Sequence, residues 1–260
     1  MNILQEIAQR TMERVEVQKK VLPHEKIIEM VQAEGTDSFP FEKAIGTKDL
    51  SFICEIKKAS PSKSVIAEDF PYIDIAREYE AAGAAAISVL TEPYYFQGSD
   101  RYLREIGDVV SIPLLRKDFT VDSYMIYEAI LLGASAVLLI CTLLDQDTLA
   151  EYITIAHRLG LSALVETHSE EEVEMALAAG ARIIGVNNRN LKTFEVDITL
   201  SERLRVLVPP EVLFVSESGI SNAEDISRLR KHGVNAALIG ERLMCSPDKK
   251  AALAELRGEV

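Results

Sequence analysis

Five times in 260 residues the chain passes from a helical pattern through a glycine straight into an apolar run. The junctions are EYEAAGAAAISVL, AILLGASAVLLI, AHRLGLSALVE, ALAAGARIIGV and LRKHGVNAALIG, centred on Gly83, Gly133, Gly160, Gly180 and Gly233. Glycine is favoured just past a helix end because it enters the left-handed region without steric cost. Strands that alternate with helices in this way lie parallel, each joined to the next by a right-handed crossover. The apolar runs place strands at 52–56, 85–90, 112–115, 136–140, 163–165, 182–186, 212–215 and 236–239. Eight such units favour closure, so the expected fold is α/β, a (β/α)8 TIM barrel. An open, doubly wound sheet would need a glycine-rich fingerprint after its first strand, and KKASPSKS has none. Ahead of the repeat, one helix is expected from residue 2 to about 20 and another opening at Pro23, with no strand. We therefore expect residues 1–260 to form a single barrel domain, with 1–47 as a helical N-terminal extension.

Composition narrows the partners. A net charge of −13 argues against a polyanion-binding face, so neither nucleic acid nor a membrane surface is expected as a partner. The longest apolar run, 136–141, is far short of the ~20 residues of a membrane span. Alternating charged and apolar residues at the N-terminus do not make a signal peptide. Cys54, Cys141 and Cys245 form no CxxC pair, and His24, His157 and His232 lack ligand spacing, so neither zinc nor a disulfide framework is expected. Reduced thiols fit a cytoplasmic protein acting on a small-molecule substrate.

The chemistry lies where the strands end. In SFICEIKKASPSKS, Glu55 and Lys57 stand two apart and share one face of a strand. An unpaired buried charge costs several kcal/mol, so two charges there imply a polar pocket, the bland alternative being an edge strand with a surface ion pair. The later tips carry Lys117 in IPLLRKDF, Glu166 in ALVETH, Asn187 and Arg189 in IIGVNNRN, Glu217 and Ser218 in FVSESG, and Gly240 in ALIGE. Barrel active sites sit at this carboxyl end, where the loops share a mouth. Arg116 and Asp118 beside Lys117 also allow a solvated charge run, and His168 reads as a loop residue. Ser218 with Gly219, followed by Gly240 one strand later, fits backbone N–H capture of a phosphate.

EIKKASPS, PLLRKDF, LVETH, GVNNRNLKTFEVD, VSESGI and ALIGERLM together closely resemble indole-3-glycerol phosphate synthase of tryptophan biosynthesis, from the helical preface to the eighth strand. The resemblance implies conversion of 1-(o-carboxyphenylamino)-1-deoxyribulose 5-phosphate to indole-3-glycerol phosphate, carbon dioxide and water, without a cofactor or metal. It implies Lys117 as the general acid at the substrate carbonyl and Glu166 as base or proton shuttle. Lys57 matches a lysine assigned both to the substrate's acidic groups and to dehydration. Glu55, Asn187 and Glu217 match orienting groups, and Arg189 matches the partner of the anthranilate carboxylate. Ser218, Gly219 and Gly240 match the phosphate site. Ser60 lies in the matching KKASPS segment, and Pro61, Phe119 and Leu191 match the aromatic pocket. The resemblance also places the preface near the mouth and allows association with other tryptophan-pathway enzymes.

Two positions depart from the pattern: Ser64, where many relatives have glycine, and Glu241 with Arg242, where some carry small hydroxyl residues. A carboxylate at 241 is expected to turn away from a phosphate, since like charges ~4 Å apart repel by about 1–4 kcal/mol. The rival activities are a class I aldolase using Lys57 or Lys117 as a Schiff base, and a sugar-phosphate sensor without catalysis.

Overall fold

The protein is described from a computed structural model, in which residues 3–32, 38–190 and 193–259 are placed. Eight parallel strands close into a barrel: β1 (Ser51–Ile56), β2 (Ala86–Leu90), β3 (Leu114–Lys117), β4 (Ala136–Ile140), β5 (Ser162–Thr167), β6 (Ile183–Asn187), β7 (Leu213–Glu217) and β8 (Ala236–Ile239). Each strand pairs with its neighbours in sequence, and β1 pairs with β8 to complete the ring. All five junction glycines take positive φ, between 69° and 86°. At each, the residue after the glycine donates to the carbonyl five residues back, as Ala84 does to Tyr79 and Val234 to Leu229. That bond pattern satisfies the last free carbonyls of the helix and turns the chain into the next strand.

The helices are α1 (Ile3–Val21), α2 (His24–Gln32), α3 (Pro40–Ile45), α4 (Tyr72–Ala81), α5 (Asp100–Gly107), α6 (Tyr124–Leu131), α7 (Gln146–Arg158), α8 (Glu170–Ala178), α9 (Thr199–Arg205), α10 (Ala223–Lys231), α11 (Glu241–Met244) and α12 (Lys249–Arg257). One core fills the barrel with Ile53, Ala86, Leu115, Leu138, Leu164, Ile183, Val215 and Leu238. A second, larger one lies between strands and helices and takes the alternate residues, such as Cys54 and Ile56 of β1 or Ala163 and Val165 of β5.

Three strands differ most from the expected extents, the seventh running on through Ser216 to Glu217. The third strand begins at Leu114 rather than at 112 and runs on to Lys117, because Pro113 has no N–H for the ladder. The fifth strand extends through Glu166 to Thr167. The preface also divides. Its third helix, α3, was not anticipated from the sequence, and it buries Phe41 and Ile45 against the barrel interior at the end opposite the mouth. There Glu42 receives Arg182, which precedes β6, at 2.7 Å. By contrast α1 runs past the mouth, and α2 packs on α6 with Ile27 against Tyr124 and Met125.

Candidate active site

Strand alternation builds the site. Ile53, Leu115, Leu164 and Val215 point into the barrel, and two residues further on the same face carries Glu55, Lys117, Glu166 and Glu217. Gly185 and Asn187 follow Ile183 on β6 in the same way, and Gly240 follows Leu238 of β8. The polar layer therefore rests directly on the apolar filling of the barrel. Gly185 makes room for it, since a Cβ there would collide with Glu217 Oε1. Gly240 does the same beneath Glu55, and a Cβ would also sit 3.1 Å from Lys57 Nζ.

The mouth opens on a cavity of about 620 Å³. Its lining includes Glu55, Lys57, Ser60, Pro61, Lys117, Phe119, Glu166, Asn187, Arg189, Glu217, Ser218, Gly219 and Gly240. Leu191 lies outside the described residues. Sequence reading passed over Phe96, which also lines the cavity with its ring centroid 5.9 Å from that of Phe119. Its loop is held by the buried Glu92, whose carboxylate accepts the backbone N–H groups of Tyr94, Tyr95 and Phe96. That carboxylate follows the second strand and was the available signal. Ile3, Leu4 and Ile7 of α1 complete one side of the cavity.

Lys117 Nζ lies 3.5 Å from Glu166 Oε2 and 3.7 Å from Glu217 Oε2, while Lys57 Nζ hydrogen-bonds Glu55 Oε1. Burial of Lys117 opposes its charge, but Glu166, Glu217 and Glu55 outweigh that and raise its pKa well above the ordinary lysine value. Burial likewise opposes ionisation of Glu55, yet Lys57 and Lys117 prevail and hold its pKa below the usual carboxylate range. Glu217 goes the other way. Burial, with Glu166 and Glu55 beside it, overcomes the pull of Lys117 and pushes it up to about 8. A neutral Glu217 leaves two carboxylates against two ammonium groups, which a dry pocket tolerates far better than an excess charge.

Arg116 and Asp118 are not a solvated run, for both are buried. They face outward from the barrel, where Arg116 meets Asp100 at 2.8 Å and Glu128 at 2.7 Å, and Asp118 accepts Arg14 of α1 on both oxygens at 2.9 Å. Lys117 is thus flanked by two anchored charges. Ser218 and Gly219 take consecutive positive φ of 68° and 79°, a tight turn that brings backbone to the cavity edge. Ser64, in the short hairpin of Ala59–Ser60 with Ser64–Val65, has φ 56°, the region where glycine is free of strain and serine is not. Glu241 places Oε1 3.3 Å from Lys63 Nζ and Oε2 3.7 Å from Arg189 Nη2, so one carboxylate bridges the loops after β1 and β6. His168 lies in the loop between β5 and α8, as expected, half-buried between Glu166 and Glu172.

A closed parallel barrel whose mouth sets two lysines and three glutamates around a cavity with a left-handed Ser-Gly turn defines an acid–base enzyme for an anionic small molecule. The family model for indole-3-glycerol phosphate synthase matches residues 4–256. The indole-3-glycerol phosphate synthase of Ruminiclostridium cellulolyticum is 62% identical over 263 aligned positions, covering 99% of this chain and 100% of the relative. That of Lachnoclostridium phytofermentans is 51% identical, with 98% of each chain covered. Among solved structures, 3-hexulose-6-phosphate synthase superposes with a TM-score of 0.64 at 16% identity, over 81% of this chain and 100% of that one. Thiamine phosphate pyrophosphorylase from Pyrococcus furiosus gives 0.58 at 19% identity, over 80% and 94%. These two likenesses speak to the fold alone. The chain belongs to the indole-3-glycerol phosphate synthase family.

Proposed function

We propose that this mouth closes the indole ring of the anilino-deoxyribulose phosphate, with Lys117 as the acid that meets the substrate ketone. As a family member the chain is a decarboxylating carbon–carbon lyase of tryptophan biosynthesis. The observation that carries the assignment of roles is Lys117, its side chain 15% exposed at the cavity and held as a cation 3.5 Å from Glu166. As the ring carbon bearing the carboxylate attacks the ketone, charge develops on oxygen, and a preset ammonium stabilises and protonates it. Loss of carbon dioxide restores the aromatic ring. The new hydroxyl then leaves as water with a second proton, for which Lys57 is the nearest further cation, while Glu166 accepts the proton lost from carbon. Glu55 orients Lys57, and Glu217 and Asn187 frame Lys117 and the hydroxyls. Arg189 faces the anthranilate carboxylate, and Pro61, Phe119 and Phe96 sandwich the ring. Backbone N–H groups at Ser218, Gly219 and Gly240 hold the phosphate, with Ser60 alongside and Lys57 supplying charge.

A Schiff-base lysine must be neutral when it attacks, whereas Lys117 is held charged by Glu166 and Glu55 and Lys57 is paired with Glu55. Borohydride added with substrate is therefore expected to leave the mass of the enzyme unchanged, and trapped, mass-shifted enzyme would favour the aldolase reading. Glu166→Gln should lower kcat by the ~10² to 10⁴ typical of a lost acid or base while sparing KM. A variant with a normal rate would remove Glu166 from the chemistry. Three free thiols, two of them buried, support a reducing cytoplasmic setting.

A further inference from the structure

Proton bookkeeping exposes a demand that Lys117, Lys57 and Glu166 do not meet alone. The ketone oxygen gains two protons to leave as water, and one proton is lost from carbon to Glu166. The carboxylate leaves as carbon dioxide and carries none away, so each turnover consumes one proton from solvent. The proton on Glu166 can return to Lys117 across their 3.5 Å contact, but the second must enter a buried site.

The geometry points to His168 as the relay residue that delivers this proton. Glu166 uses both oxygens: Oε2 faces Lys117, and Oε1 faces His168 Nε2 at 3.6 Å. That nitrogen is buried and makes no hydrogen bond among the described residues. The other ring nitrogen, Nδ1, lies 3.3 Å from Glu172 Oε2, whose carboxylate also accepts the His168 backbone N–H at 2.7 Å and, on Oε1, the Thr142 hydroxyl at 2.6 Å. His168, Glu172 and Thr142 line a second cavity of about 860 Å³, which shares Leu4, Asn187 and Val196 with the first. Lys117, Glu166, His168 and Glu172 thus form one chain that leads from the reacting carbonyl to the lining of the second cavity.

The charged groups facing His168 come from three strands and a helix: Glu166 on β5, Glu172 on α8, Glu217 on β7, and Lys117 on β3 beyond Glu166. Burial disfavours the imidazolium, but Glu172, Glu166 and Glu217 prevail and raise its pKa above the usual histidine value. Imidazole suits the task because it takes a proton on one nitrogen and releases one from the other. Neutral His168 with its proton on Nε2 takes a second proton on Nδ1 from solvent through Glu172, the imidazolium gives its Nε2 proton to Glu166, and exchange of the remaining proton from Nδ1 to Nε2 resets the tautomer.

The relay rests on the reading of Glu166 as the group that moves protons, and Glu166→Gln tests that separately. His168→Gln keeps the backbone N–H to Glu172 and removes the relay. Its kcat is expected to fall by roughly tenfold, short of the loss on removing the acid or base itself, with KM unchanged. The deficit should narrow as pH rises from about 6 to about 8.5, because the parent itself loses the His168 proton over that range, and imidazole added near pH 6 should recover much of it. An unchanged kcat, or a loss that is uniform across pH and deaf to imidazole, would overturn the relay even if Glu166→Gln is inactive. A second variant that keeps His168 guards against misfolding of the first. Glu172→Gln should lower the His168 titration midpoint seen by NMR and carry the alkaline limb of kcat with it; a limb that stays while the midpoint moves would also refute the assignment.

Discussion

Glu217 shows how a single side chain can oppose the fold that holds it. Its pKa, raised from 4.5 to about 8, means that the folded state binds its proton more tightly than the unfolded chain does. The stability this contributes is therefore complete below about pH 4.5 and is lost as pH climbs through the folded value. Glu217→Gln, which mimics the protonated carboxyl, is expected to melt higher than the parent by an amount that grows between pH 5 and 8, to the order of 3–6 °C for 1–2 kcal/mol in a domain of this size. A constant difference across that range would mean that Glu217 is ionised in the native state. The same position shows what sequence could reveal. Glu55, Lys117, Glu166 and Glu217 were legible because each stands two residues beyond an interior apolar residue. Gly185 was not, because its need is set by Glu217 on the neighbouring strand, a contact without local signature.

The N-terminal helix is fastened to the strand that carries Lys117. Arg14, Gln18 and Lys19 lie on one face of α1 and reach Asp118 at 2.9 Å, Glu128 at 2.9 Å and Asp122 at 2.6 Å. Removing Arg14 leaves Asp118 buried with the Thr91 hydroxyl, the Phe119 backbone N–H and the field of Arg116 for support. Arg14→Met should cost ~3 kcal/mol, the lower end for breaking a buried pair, or about 6–12 °C in Tm. It should lower kcat too, because Asp118 is covalently next to Lys117. Unaltered melting would show that Asp118 is satisfied without α1. Helix α3 makes a different prediction. A chain lacking residues 1–37 keeps Phe41 and Ile45 in the barrel and should fold cooperatively with poor activity, whereas one lacking 1–46 opens the barrel floor and should melt far lower or aggregate. Equal melting of the two would remove α3 from the core. Sequence periodicity found α1 and α2 but not α3, since six residues give too few turns to show a repeat.

Across the chain, the glycine-marked repeat was enough to give strand number, direction and closure, because those follow from local caps and crossover handedness. It could not tell which charges at the strand ends would oppose one another, since that depends on how the strands register around the ring. Lys117 and Glu217 are 100 residues apart, yet they face each other at 3.7 Å. The resemblance implies those roles ahead of the geometry, and the proposed role of Lys117 rests on a lysine kept charged by Glu166 and Glu55. Ultraviolet detection of the indole product from the anilino-deoxyribulose phosphate, comparing the parent with Lys117→Met at saturating substrate, tests that basis. The parent is predicted to form indole rapidly and the variant to lose ~10² or more in kcat, with substrate still bound at near-parent affinity. A Lys117→Met enzyme that turns over at the parent rate, or fails only through KM, would contradict it.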